Sequence, residues 1–163
     1  MTKSEFIIPD FDAPKLQTFT TSFIPAVYKA VGEILDNSTD EFARIDTKNK
    51  ILTIDAKPTE GKYVISDNGR GVPIDKHESG AYTPQVVFGA LRSGRNFTEE
   101  RPKGVQGMNG VGSAVVNCTC TSFDVTIQRD NKQYVQSFKN GMELVTTPKI
   151  TSKKSTTTGT TID

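Results

Sequence analysis

An α+β fold, with a sheet covered on one face by helices, is predicted by three features of the 163-residue sequence. A long amphipathic helical stripe opens the patterned part of the chain. Two pairs of short β-rich runs then sit at hairpin spacing. Helix-start signals fall between those pairs, in the alternation that layers helices on an antiparallel sheet.

Residues 1–22 have weak periodicity, with Pro9 and Pro14 among acidic and apolar residues, and read as an N-terminal arm or irregular lead-in. From Phe23 the pattern is helical: Val27, Val31, Ile34, Leu35 and Phe42 recur on one stripe, which carries the helix to about Arg44. Pro25 falls in the first turn, where a missing N–H costs nothing, and Thr21 or Ser22 is placed to cap. Lys50–Asp55 and Lys62–Asp67 flank a Pro58–Gly61 turn and form a hairpin. Asn68–Pro73 is a tight turn, and residues 83–92 a short helix with Thr83 as cap and Pro84 at its first position. Residues 93–112, rich in Gly, Asn and charge, are a long loop of the kind that forms lids. Val111–Asn117 starts a helix. Phe123–Arg129 and Gln133–Phe138 form a second hairpin around Asp130-Asn131-Lys132, and from Thr146 onward Thr, Ser and Lys dominate.

The 20 basic and 19 acidic residues leave a net charge of +1. A self-sufficient nucleic-acid binder carries a basic excess, because phosphate neutralisation drives its affinity. Any grip on DNA must therefore come mostly from elsewhere. Neither an apolar run long enough to span a membrane nor a secretory leader is visible. Cys118 and Cys120, the only cysteines, are too close for easy disulfide geometry, which favours a reduced, cytoplasmic setting. His77 stands without a His or Cys neighbour and reads as a surface residue, and the Lys149, Lys153 and Lys154 cluster as a solvated loop.

Three segments carry chemistry. In Glu33-Ile-Leu-Asp-Asn37-Ser-Thr-Asp40-Glu41, helical spacing puts Glu33 and Asn37 on one face, with Asp40 and Arg44 continuing the stripe. A carboxylate there can take a proton from water, and an amide oxygen is a hard ligand for Mg²⁺; a solvated acidic face would look the same. Asp67-Asn-Gly-Arg-Gly71 ends a strand, with an Asp placed to accept from an amino group; an ordinary Asn-Gly turn is the plain alternative. Lys103-Gly-Val-Gln-Gly107-Met-Asn-Gly110-Val-Gly112 leads into a helix, so its backbone N–H groups suit an anion; a flexible loop is the alternative. Its spacing is neither that of a Walker loop nor that of a Rossmann turn.

Together and in this order, the segments resemble the GHKL ATPase superfamily. "EILDNSTDE" (33–41), "SDNGRGVP" (66–73), "KGVQGMNGVGSAVVN" (103–117) and "GRNFTEERPK" (94–103) look like the ATPase domain of type IIA DNA topoisomerases, of the gyrase B, ParE and phage large-subunit kind. The resemblance covers residues 23–163. It implies a Bergerat-type two-layer sandwich, with a mixed, mostly antiparallel sheet covered on one face by helices.

The same resemblance implies roles. Glu33 resembles the general base, Asn37 the Mg²⁺ ligand, and Asp67 the carboxylate that takes the adenine amino group with the help of Thr160. Gly71, Val72 and Pro73 look like the floor and wall beside the base. Lys103, Gln106, Gly107, Met108, Asn109, Gly110, Val111 and Gly112 resemble the phosphate-binding lid, and Arg70 and Arg129 the arginines at the pocket mouth. ATP and Mg²⁺ are the implied cofactors. DNA, a cleavage subunit or domain and an ATP-dependent homodimer are the implied partners, in the cytoplasm of a bacterium or a phage-infected cell. Family members continue into a transducer domain with a further lysine for the γ-phosphate, so 23–163 is expected to be an ATPase piece that binds nucleotide and turns it over slowly. Other GHKL machines (a MutL-like repair ATPase, a chaperone, a histidine kinase) and a nucleotide-binding module without appreciable hydrolysis are the alternatives.

Overall fold

The computed structural model describes residues 2–9, 15–89 and 111–163. Helix α1 spans Pro25–Arg44, close to the expected bounds, with Pro25 in the first turn and Arg44 in the last. The expected cap is absent. Ile24 occupies the N-cap position without a side-chain bond, because Ser22 and Thr21 are taken up in a strand upstream. That strand, β2 (Leu16–Phe23), pairs antiparallel with β1 (Thr2–Pro9), from Thr2 opposite Phe23 to Pro9 opposite Leu16. The lead-in is thus a regular hairpin where weak periodicity suggested irregular chain. A ribbon outside the main core needs no alternating apolar face to pair its backbone, and Ile7 is indeed exposed.

The main sheet contains β3 (Leu52–Lys57), β4 (Lys62–Asp67), β5 (Ser122–Arg129), β6 (Lys132–Lys139), β7 (Leu144–Val145), β8 (Lys149–Ser152) and β9 (Gly159–Ile162). Its order is β3-β4-β9-β5-β6-β7, with β8 also on β6. Every pairing among these strands is antiparallel. Both expected hairpins form. Gly61 closes the first in a left-handed conformation after a 3-10 turn at Pro58–Glu60. Asp130 and Asn131 close the second as a two-residue turn with φ of 51° and 57°, the primed geometry that matches strand twist. The Lys149 cluster, expected in a loop, lies partly on an edge strand, β8.

Register decides what is buried. Ile65 opposes Ile162, Ile162 opposes Val125, Ile127 opposes Tyr134 and Phe123 opposes Phe138, so one face of the sheet is continuously apolar. Helix α1 covers it with Ala30, Val31, Ile34 and Leu35. Helix α2 (Thr83–Gly89) adds Phe88, and α3 (Gly112–Thr119) adds Val116. Thr83, expected to cap α2, instead donates its hydroxyl to the Asp75 carbonyl at 3.1 Å. The cap comes from Gln85, whose Oε1 accepts from Tyr82 N at 2.9 Å, half of a capping box. The other sheet face is polar: Ser66 and Thr161 share a 2.8 Å hydroxyl bond there, beside Thr53, Thr126 and Gln128. They line a shallow cavity of about 230 Å³.

Inside the apolar layer the Tyr134 hydroxyl bonds Gln136 Oε1, and Gln136 Nε2 donates to the Thr146 carbonyl at 2.9 Å. Burial raises the Tyr134 phenol above its ordinary range, so it stays a neutral donor. Asn117, 1% exposed, donates Nδ2 to the Phe88 carbonyl at 2.8 Å and so joins α3 to α2. Phe138 meets Phe123 edge-on and lies under Gly89. Phe138→Ala should therefore cost about 3–5 kcal/mol, read as a fall in the urea unfolding midpoint with an unchanged slope.

Candidate active site

Helix α1 serves two places at once. Residues one apart on a helix point about 100° apart, so Asn37 and Ser38 face different neighbours. Ser38, 5% exposed, donates its hydroxyl to Asp67 Oδ2 at 3.2 Å, while Asn37 Nδ2 donates to Ser113 Oγ at 2.6 Å on the first turn of α3. One turn earlier, the Glu33 carboxylate lies directly against Gly112. A Cβ added at Gly112 would collide with it, so a larger residue there would push the flexible carboxylate end away from the start of α3. Lys29 Nζ holds Glu33 Oε1 at 2.7 Å from the same helix.

Asp67 ends β4 beside β9. Its Oδ1 accepts from Gly69 N at 2.8 Å and from Thr160 N at 3.4 Å. Burial raises its carboxyl above the ordinary Asp value, against the hydrogen bonds from Gly69, Ser38 and Thr160 that favour the ionised form. The turn that follows is fixed from several sides. Val72 N donates to Thr160 Oγ1 at 3.3 Å, and Thr158 Oγ1 donates to the Gly69 carbonyl at 2.6 Å. Gly71 has a φ of 75°, and a Cβ there would meet the Gln128 and Gly159 carbonyls at 2.9 and 3.0 Å. Glycine is required on both counts.

Arg70 and Arg129 flank this turn. Glu41 accepts from Arg70 N, Nε and Nη2 at 3.0, 2.7 and 2.9 Å, a fork that holds its carboxyl below the ordinary Glu value. Arg129 Nη1 donates to the Gly71 carbonyl at 2.7 Å. Thus Asp67, Arg70, Gly71, Val72, Arg129 and Thr160 come together around one turn, with exposed Pro73 at its end. Glu33, Asn37, Val111 and Gly112 come together at the α1–α3 contact. Lys103, Gln106, Gly107, Met108, Asn109 and Gly110 lie outside the described residues, as does the expected lid apart from Val111 and Gly112.

Sequence reasoning missed Ser38, Glu41, Ser113 and Thr158. Ser38 and Glu41 left a trace inside the Glu33–Glu41 run, and Ser113 inside the 103–117 segment, none with a role of its own. Ser113 and Thr158 matter through partners 76 and 89 residues away, for which spacing gives no signal. Asp40, placed on the polar stripe by spacing, is buried at 8% exposure. Among the described residues no group of three or more His, Cys, Asp or Glu could hold a metal ion.

Residues 24–162 match the family described as histidine kinase-, DNA gyrase B- and HSP90-like ATPase. The chain belongs to that ATPase family. As an ATPase-family domain it is an ATP-binding unit. DNA topoisomerase 2 of Candida glabrata is 32% identical over 83% of the chain and 10% of the relative. The B polypeptide of DNA topoisomerase 4 of Staphylococcus aureus is 40% identical over 71% of the chain and 17% of the relative. The chain therefore spans less than a fifth of the length of either. The ATPase region of Saccharomyces cerevisiae topoisomerase II superposes with a TM-score of 0.85 at 27% identity, covering 99% of this chain and 43% of that one. The expected Bergerat-type, helix-covered sheet is thus the fold observed, with pairing more uniformly antiparallel than expected.

The Glu41–Arg70 fork carries a pH signature. A carboxyl lowered in the folded state stabilises above its unfolded pKa, and that contribution is lost as pH falls through the lowered folded value. Glu41→Gln should be less stable than wild type at neutral pH, with the gap closing below the ordinary Glu range. Urea midpoints measured from pH 7 downward check this; a constant gap would assign the loss to packing.

Proposed function

We propose that this domain binds ATP·Mg²⁺ and hydrolyses it as the ATPase head of a type II DNA topoisomerase, coupling nucleotide turnover to strand passage in a longer protein. The observation that carries the proposal is that α1 bridges two polar centres: Ser38 faces Asp67, while Glu33 and Asn37 face the start of α3. A nucleotide laid along α1 would present its base to one and its phosphates to the other. The relatedness to topoisomerase ATPase regions supports the wider role.

In this proposal Asp67 accepts the adenine amino group, assisted by Thr160, with Gly71, Val72 and Pro73 beside the base and Arg70 and Arg129 at the mouth. The first turn of α3 offers backbone N–H groups at Val111 and Gly112, where the helix dipole favours an anion. Lys103 and the backbone of residues 106–110 are assigned to the phosphates on their motif. Glu33 orients and deprotonates the attacking water. Asn37 suits Mg²⁺: its Oδ1 accepts no hydrogen bond from the described residues, and a single hard oxygen matches an ion that takes most of its ligands from phosphates and water. Bound there, Mg²⁺ would neutralise charge developing on the phosphates. DNA and a cleavage subunit or domain complete the proposed enzyme, with an ATP-dependent homodimer, in a cytoplasm that keeps Cys118 and Cys120 reduced.

Calorimetry with a non-hydrolysable ATP analogue tests the binding; no Mg²⁺-dependent heat would overturn it. Glu33→Ala should keep the analogue affinity and lower turnover roughly 10²–10⁴-fold. Asp67→Asn should weaken binding by about 10–100-fold, the worth of a hydrogen bond to a charged group. Because burial raises the Asp67 carboxyl, wild-type affinity should begin to fall, on acidification, above the ordinary Asp range, and the Asn variant should lack that limb. Supercoil relaxation by a longer protein containing the domain tests the coupling to DNA.

A further inference from the structure

The contact between Asn37 and Ser113 holds the Asn37 amide at the start of α3, which the side chain cannot do alone. The terminal torsion of an asparagine is broad and roughly two-fold, so its amide oxygen and nitrogen can exchange places at little cost. Asn37 is exposed, and the only bond its amide makes among the described residues is the 2.6 Å donation from Nδ2 to Ser113 Oγ. Ser113 itself is 5% exposed and fixed one residue into α3, behind Gly112. The donor end of the amide is thereby seated against a buried hydroxyl. With Nδ2 on that hydroxyl, Oδ1 on the other branch of the planar carbon points away from α3. The hydroxyl can also donate, so it anchors the amide, and a cation on the outer side decides that Oδ1 faces out.

We propose that Ser113 is a positioning residue that anchors the Asn37 amide, accepting from Nδ2 while Oδ1 is presented to a divalent cation. The inference rests on the proposed role of Asn37 as that ligand. Groups that hold a metal ligand by its other end commonly change metal affinity by 10–100-fold when removed. Ser113 would do so without touching cation or nucleotide. Its removal leaves Nδ2 without that acceptor when Oδ1 turns to the cation and frees the side chain to leave the site. The same contact links cation affinity to the seat of α3, since Gly112 and Ser113 meet Glu33 and Asn37 on consecutive residues.

Mn²⁺ is the probe, titrated by electron paramagnetic resonance against protein saturated with ADP, with metal-free ADP affinity from calorimetry as the control. Ser113→Ala should weaken protein-bound Mn²⁺ about tenfold while metal-free ADP binds within twofold of wild type. Ser113→Thr, which keeps the hydroxyl, should recover most of the loss. Should Ser113→Ala fail to fold, Ser113→Cys, close in size but a poor acceptor, makes the same comparison. Wild-type Mn²⁺ affinity in Ser113→Ala, or equal loss in the Ala and Thr variants, overturns the proposal. If Asn37→Ala binds Mn²⁺ as wild type does, the cation role of Asn37 falls with it; if metal-free ADP does not bind wild type, the nucleotide proposal fails instead.

Discussion

The Asp67 carboxylate is where three distant parts of the chain are made to agree. It accepts from Gly69 in its own turn, from Thr160 on β9 and from Ser38 on α1. A partly buried carboxylate is costly unless its lone pairs are met, so sheet, turn and helix must hold register together for it to remain ionised. The neighbouring bonds, Thr158 to Gly69, Val72 to Thr160 and Arg129 to Gly71, extend this agreement to the whole turn. The adenine end of the proposed site is therefore tied by hydrogen bonds to β9 and to the turn after β4.

The opposite end is built differently. Glu33, Asn37, Gly112 and Ser113 meet at a contact between two helices, and the Lys29–Glu33 pair lies within a single turn. Among the described residues, no hydrogen bond ties these four side chains to the sheet ladder. A site with one end on a sheet and the other on a helix contact can keep the base fixed while its phosphate end adjusts, a division suited to a reaction that depends on positioning.

Much of this was legible in sequence, for identifiable reasons. Helix α1 announced itself through a period that one amphipathic face imposes, and the 122–139 hairpin through Asp130-Asn131 between alternating runs. Glu33, Asn37 and Asp67 stood out because polar groups at those spacings share a face or close a strand. The hairpin at β1 and β2 did not, since backbone pairing without a buried face leaves no hydrophobic period. The Thr21 or Ser22 cap failed for the same reason: both belong to that hairpin. Ser113 and Thr158 look like any polar residue until their distant partners arrive, and a glycine such as Gly112 can be read as freedom when its use is proximity to a carboxylate.

Strand β9 has a further consequence. It is a four-residue strand, yet among the described strands it is the one that bridges the β3–β4 hairpin to the β5–β6 hairpin. Its hydroxyl link from Thr161 to Ser66 spans 95 residues of chain. Each hairpin is local and closes cheaply, whereas the bridge must meet a large loop-closure entropy before its contacts reward it. Until Gly159–Ile162 pairs, the two hairpins have no described strand between them, and the Thr160 amide reaches Asp67 only through that pairing. If Asp67 takes adenine as proposed, a site for the base exists only once the two halves of the sheet have joined.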